Sequence, residues 1–275
     1  MSSKIINYTP TGTQTTRENS LAPLCVNEII EDVHRANEIG ITLVHLHARD
    51  NELKNTWKKE VYSDIISGIK KHCPDLVICT SLTGRNFPEL EKRCDVLQLK
   101  PDLASLTLSS LNFPTGASVN QPEMILAILE QMDKWGVIPE LECFDSGMVN
   151  SAKVLIKREK IKPPFYFNII LGNIYNAQSD IASVSAIKSA IPEGSITTIG
   201  GIGNQQLRSN ILGLLDFDGI RIGLEDNFYI SGKQKATNES LLIRIHNIMS
   251  QLEMKVLTSK EFKSLGYENK LISNR

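Results

Sequence analysis

The sequence predicts an α/β protein of the (β/α)8 class, a TIM barrel in which residues 1–275 form a single domain. Three observations carry this. Eight short β-rich runs alternate with amphipathic helical stretches. Several of those runs are continuously apolar, as strands buried on both faces require. The length of 275 residues suits such a barrel and can bury most of the chain's surface around one core.

In chain order the strand candidates are Lys4–Thr9, Thr42–Ala48, Leu76–Ser81, Leu103–Leu108, Ile138–Phe144, Phe165–Leu171, Ser195–Gly200 and Gly219–Gly223. Between them, Ile29, Ile30, Val33, Ala36 and Ile39 form one helical stripe stopped by Gly40. A second stripe uses Val61, Tyr62, Ile65, Ile66 and Ile69, with Pro74 beyond its end. The turn-rich stretch Phe87 to Arg93 gives a shorter helix. Pro122 opens a helix carrying Ile125, Leu126 and Leu129, and Gly136 closes it. Ile181–Ala190 and Gln205–Leu215 supply two more, and Asn238 is placed to cap a last helix with Leu242, Ile245 and Met249 on its core face. Residues after about 252 read as a C-terminal tail packing outside the barrel. A doubly wound sheet is the alternative, but the first strand runs into Thr9-Pro10-Thr11-Gly12 and not into a GxGxxG turn.

Composition excludes several classes of function. A net charge of −1 with mixed signs throughout argues against nucleic-acid binding. The locally basic Lys157 to Lys162 reads as a solvated helix end. The five cysteines are odd in number and form no CxxC pair, which suits a reduced intracellular protein better than a disulfide scaffold. No signal-like segment follows Met1, and no apolar stretch is long enough to span a membrane, so a cytoplasmic protein is expected.

The run Thr42-Leu43-Val44-His45-Leu46-His47-Ala48-Arg49-Asp50 holds the clearest chemical signal. Alternate residues of a strand share a face, so His45 and His47 project together, half of a metal site. In a barrel such side chains sit at the C-terminal strand ends, where catalytic groups gather. The eighth strand ends in Arg221-Ile222-Gly223-Leu224-Glu225-Asp226-Asn227. Closure brings that end near the second strand, which makes Glu225 a candidate third ligand and leaves positions open for substrate. Zinc is favoured; iron suits two histidines and a carboxylate as well. His34, His72 and His246 fall on helices away from this face.

Glu142 lies within the apolar fifth strand, where a carboxylate needs a partner, and Arg221 is the natural one. Arg221 would also hold Asp226 ionised and oriented as a candidate general base. A purely structural ion pair is the competing reading. Thr80, Ser81, Thr83 and Gly84 follow the third strand, and Ser105, Thr107 and Ser109 line or follow the fourth. Gly200-Gly201-Ile202-Gly203 offers backbone amides of the kind that bind phosphate after a seventh barrel strand.

Taken together, Val44–Asp50, Pro139–Asp145, Gly147-Met148, Gly201–Gly203 and Arg221–Asn227 resemble the β-keto acid cleavage enzymes over essentially the whole chain. The resemblance implies a zinc-dependent barrel, an acyltransferase that condenses a β-keto acid with acetyl-CoA. Its products would be acetoacetate and the acyl-CoA of the shortened acid. It implies that His45, His47 and Glu225 hold the metal and that Asp226, supported by Arg221 and Glu142, removes the proton. It places Ser81, Gly84, Ser105 and Thr107 at the substrate, and suggests a homotetramer. Two departures bear on the substrate. A family member acting on an amino-keto acid carries a glutamate just after strand one, whereas here Thr11-Gly12-Thr13-Gln14-Thr15 has no carboxylate before Glu18. Arg85 stands where a second glycine is common; facing the pocket, it would favour an anionic tail. A metal-dependent lyase without CoA and a catalytically silent barrel are the alternatives.

Overall fold

The computed structural model describes residues 2–273. Eight parallel strands close into a barrel: β1 Ser3–Tyr8, β2 Leu43–Leu46, β3 Val77–Thr80, β4 Leu103–Thr107, β5 Ile138–Cys143, β6 Tyr166–Leu171, β7 Ile196–Gly201 and β8 Gly219–Ile222. Each strand pairs with the next, and β8 closes on β1 with Asn7 opposite Arg221 and Tyr8 opposite Ile222. Every expected strand is present, its ends displaced by at most two residues; β1 begins one residue earlier, at Ser3, and β7 runs one further, to Gly201. The largest difference is at β2, which stops at Leu46; Ala48–Arg49 instead pairs with Asn55–Thr56 in a small ribbon. His47 is therefore the residue at which the chain turns out of the wall.

The helices are α1 Val26–Ile39, α2 Lys59–His72, α3 Leu90–Cys94, α4 Pro122–Trp135, α5 Ser146–Lys157, α6 Ile181–Ala190, α7 Gln206–Asp216 and α8 Asn238–Gln251. The stripes in the sequence do not include α5, and of the basic run Lys157 to Lys162 only Lys157 belongs to it; Arg158 caps the helix and the rest lies beyond it. The interval from Phe87 to Glu89 is not helical; α3 begins at Leu90 and continues as a 3-10 turn over Asp95–Leu99. Asn238 is not the cap of α8. Thr237 caps it, accepting from the Ser240 amide. Asn238 is the first helical residue, and its side chain is drawn into the interior to accept from the Leu224 amide and donate to the Pro10 carbonyl and Asp32. A buried amide with three available partners does more there than as a surface cap.

The strand period of two sorts side chains into two cores. Outward residues such as Ile6, Tyr8, Val44, Leu46, Ile78 and Leu106 pack against the helices. Inward residues form layers. The bottom layer, Ile5, Leu43, Val77, Leu103, Ile138 and Tyr166, is apolar. Phe262 and Tyr267 of the tail stack against each other 4.4 Å apart and cover this layer, closing the N-terminal mouth. The tail begins with Lys255–Val256 paired to β1, and Phe262 lies on the short helix α9, Ser259–Ser264. Above the apolar layer, Asn7, His45, Cys79, Glu140 and Asn168 make a buried polar layer. No helix among the described residues is long and apolar enough to cross a membrane.

Candidate active site

The C-terminal mouth of the barrel holds a cavity of 440 Å³. His45, His47, Ser81, Thr107, Glu142, Arg221, Glu225 and Asp226 line its floor. Residues from five of the eight strand ends thus meet in one place, as the fold's geometry requires of strand-end side chains. Thr13, Gln14, Asn19 and Asn227 line one part of the wall; Phe113, Phe144, Ile170 and Ile202 line another.

Two of the sequence-derived residues do not line this cavity. Ser105 is buried with its hydroxyl accepting from the Leu82 amide, which ties the loop after β3 to β4. Gly84 lies behind the wall, where an added Cβ would come within 2.9 Å of the Arg93 guanidinium. The three remaining histidines lie elsewhere. His34 and His72 stack between α1 and α2 with ring centroids 5.0 Å apart, and His246 meets the Gly40 carbonyl at 2.9 Å.

His45, His47 and Glu225 present ligand-type atoms that all lie within 4.8 Å of one another. His45 Nδ1 is 2.8 Å from Glu140 Oε2, so the opposite ring nitrogen is left for the cavity. His47 Nε2 lies 3.2 Å from Glu225 Oε1, while Glu225 Oε2 is buried with no hydrogen-bond partner. A second cluster, His45, Cys79 and Glu140, is equally compact. Its members are already hydrogen-bonded to one another below the floor, and burial, reinforced by Glu140, pushes the Cys79 thiol well up, against the thiolate a metal needs. The His45, His47 and Glu225 set therefore fits a divalent cation better. The two members it does not share with the second cluster, His47 and Glu225, also line the cavity, and Glu225 Oε2 has no protein partner to lose.

Glu140 is the residue that motif reading passed over. It is fully buried on β5 and accepts from four groups: Asn7 Nδ2 at 2.6 Å and Asn168 Nδ2 at 3.0 Å on one oxygen, Cys79 Sγ at 3.2 Å and His45 Nδ1 on the other. Burial opposes a charge on His45, yet Glu140 and then Glu225 outweigh it and raise its pKa to about 9. At His47 burial prevails, and the pKa is lowered. The available signal was alternation: Glu140 and Glu142 are two apart on one strand and must share the inward face.

Arg221 is fully buried and divided among three acids. Its Nε is 2.7 Å from Asp226 Oδ2, its Nη2 is 2.9 Å from Glu225 Oε1, and its Nη1 is 3.6 Å from Glu142 Oε1. The outcome differs among the three. Glu225 stays well below the usual carboxylate range because Arg221 and the two histidines overcome its burial. Burial wins at Asp226, whose pKa is raised despite the guanidinium, with Glu225 adding to the effect. Glu142 is raised by the same cause, and it also accepts a 2.8 Å hydrogen bond from the Thr107 hydroxyl. A carboxyl with raised pKa, held in place by an arginine beside a cation site, is equipped to accept a proton from carbon.

Fold and site together define a (β/α)8-barrel enzyme whose cavity joins a two-histidine, one-glutamate cluster to an arginine-held carboxyl. Residues 4–266 match the model of the β-keto acid cleavage enzymes, and the chain belongs to that family. It is 30% identical over 268 residues to the 3-keto-5-aminohexanoate cleavage enzyme of Acetoanaerobium sticklandii, covering 96% of this chain and 98% of that one. It is 30% identical over 231 residues to the 3-oxoadipate:acetyl-CoA acetyltransferase of Cupriavidus necator, covering 82% and 81%. Among solved structures, apo ObcA superposes with a TM-score of 0.77 at 19% identity over 90% of this chain; the chain spans 66% of ObcA's length. That likeness bears on the barrel fold.

Proposed function

We propose that this enzyme cleaves a β-keto acid with acetyl-CoA as co-substrate, yielding acetoacetate and the acyl-CoA of the shortened acid, and that it works as a zinc enzyme in a cytoplasmic homotetramer. The observation that carries the reading is the contact of Arg221 with both Glu225 and Asp226, which seats a candidate base beside the cluster of His45, His47 and Glu225. The relatives' names support acetyl-CoA as the second substrate.

His45, His47 and Glu225 would hold zinc, which when bound supplies a positive charge that stabilises negative charge developing on the keto acid. Asp226 takes a proton from the carbon between the keto and carboxylate groups, and Arg221 keeps its carboxyl aimed. The electron pair left on that carbon attacks the thioester carbonyl of acetyl-CoA, and the CoA thiolate departs. The thiolate then adds to the original keto carbon. The bond between the two carbons breaks, the acyl-CoA forms, and the electron pair left on the acetoacetate carbon takes back a proton from Asp226. Ser81 offers a hydroxyl at the same strand-end level to orient the acid, while Thr107 donates to Glu142 and holds that carboxyl at the substrate.

The test is incubation of zinc-loaded protein with acetyl-CoA and β-keto acids bearing neutral, acidic and cationic tails, with mass spectrometry of the products. Acetoacetate and a new acyl-CoA that appear only when acetyl-CoA is present are the expected result. Cleavage without acetyl-CoA, or no product from any acid, overturns the reading. Light scattering coupled to gel filtration reads the oligomeric state.

A further inference from the structure

We propose that Arg85 recognises a second carboxylate, at the far end of the acyl tail, so that the preferred acyl donor is a β-keto dicarboxylate. This rests on the function proposed above and names the substrate class it leaves open.

Arg85 stands in the loop after β3 and lines the cavity. Its guanidinium carbon lies 3.9 Å from the centroid of the Phe113 ring, which itself meets Phe144 edge-on with centroids 5.6 Å apart. A guanidinium seated over a braced ring is attracted to its face and can still turn N–H groups to an anion. Nothing on the protein uses those groups: among the described residues Arg85 makes no ion pair, and its Nε is buried without a hydrogen-bond partner. The three buried arginines each keep one nitrogen without a hydrogen bond as well, but all of them bond protein acceptors through the rest of the guanidinium. Arg49 bonds the carbonyls of Gly12 and Leu53, Arg93 bonds the Leu82 carbonyl and Asn120, and Arg221 serves its three acids. Arg85 itself is half-buried, and its inner Nε is shielded from water without an acceptor that a ligand could supply.

Position decides which end of the substrate it meets. His45, Ser81, Thr107 and Glu142 come from the strand ends, where the reacting carbons would sit. Arg85 is five residues beyond the end of β3, and Phe113 belongs to the Leu111–Phe113 strand of the hairpin that follows β4. Both therefore stand in the loop layer, above the floor. A substrate anchored at the floor reaches Arg85 with its tail. The loop after β1 lines the cavity with Thr13, Gln14 and Asn19, all uncharged, and the acid of that loop, Glu18, is exposed and outside the lining. A cationic tail finds no counter-charge, whereas an anionic one finds Arg85.

The experiment uses a six-carbon pair differing only in the terminal group, 3-oxoadipate and 3-oxohexanoate, with the zinc-loaded protein and its Arg85→Ala and Arg85→Lys variants. Turnover is followed with saturating acetyl-CoA, and binding is followed by calorimetry without it. We expect the protein to favour 3-oxoadipate in both readouts. Arg85→Ala should lower kcat/KM for 3-oxoadipate by about 10- to 100-fold, the worth of a charge-assisted pair, and leave 3-oxohexanoate within about threefold. Arg85→Lys should restore part of the preference, because an ammonium cannot form the bidentate pair. Equal losses on both acids would overturn the proposal by assigning Arg85 to the carboxylate next to the keto group. A raised KM for acetyl-CoA alone would overturn it in favour of the CoA phosphates. Absence of turnover with both acids would overturn the proposed reaction, while a binding preference for 3-oxoadipate that Arg85→Ala abolishes would still establish the subsite.

Discussion

Glu140 Oε2 lies 2.8 Å from His45 Nδ1, across 95 residues of sequence and with both side chains buried. The contact fixes which ring nitrogen His45 turns to the cavity, and it places a negative charge behind the imidazole, the arrangement that strengthens a histidine as a metal ligand. Glu140 is a positioning residue.

Replacing that carboxylate by its amide tests the role with little change in shape. Glu140→Gln should weaken zinc binding by about 10- to 100-fold, measured by chelator competition, while the far-UV spectrum is kept. Undiminished zinc affinity would show that His45 is oriented by packing alone.

Gly12 is required by a neighbour and not by a turn. A Cβ at this position would lie 2.4 Å from Glu225 Cγ and 3.1 Å from its Cβ, so Glu225 would have to move. Gly12→Ala should lower kcat by about 100-fold, the cost of displacing the proposed metal ligand Glu225 by about 1 Å, with only a small change in melting temperature. Full activity in this variant would show that the Glu225 side chain is free to settle elsewhere.

The tail acts at the opposite end of the barrel. Phe262 is fully buried between Tyr267 and the bottom layer, and its ring meets Tyr166 at 5.6 Å. Phe262→Ala should cost about 3–5 kcal/mol, which lowers the melting temperature by about 10 °C for a chain of this size. Activity at 25 °C should stay within about twofold, since the cavity lies across the barrel. Lost activity with unchanged melting would contradict a purely structural tail.

Acid stability depends in part on Glu28. Its carboxylate accepts from the amides of Leu24 and Cys25 at the start of α1 and pairs with Arg17 at 2.6 Å. Burial works against the charge, but Arg17 and the two amides outweigh it, and the pKa falls from 4.5 to about 2. A carboxylate with depressed pKa adds stability that is complete above the unfolded value and is lost as pH falls through the folded one. Glu28→Gln should therefore melt lower than the parent at pH 7, and the gap should close between pH 4.5 and 2. A gap that stays constant over that window would rule out the ionised form as the source.

Local pattern made the barrel legible. Strand and helix periods repeat within ten or so residues, and all eight strands can be read from them. His45 and His47 are visible for the same reason, being two apart on one strand. Glu225 follows only once strand closure is assumed, because it is 178 residues from His47. Other particulars escape a linear reading. Ser105 carries the same hydroxyl as the cavity residues Ser81 and Thr107, yet its oxygen is taken by the Leu82 amide. Asn238 has the chemistry of a cap but is pulled inward by three buried partners.

The sequence by itself determined the eight βα units, the inward pair of histidines and the company of Arg221, Glu225 and Asp226, because these follow from short-range periodicity and adjacency. Only the tertiary structure decided that Glu140 stands behind His45, that Asp226 keeps a raised pKa beside an arginine, and that Arg85 lies unpaired on Phe113. Those properties depend on burial and on distances between strands and loops remote in sequence, and closing the barrel creates both.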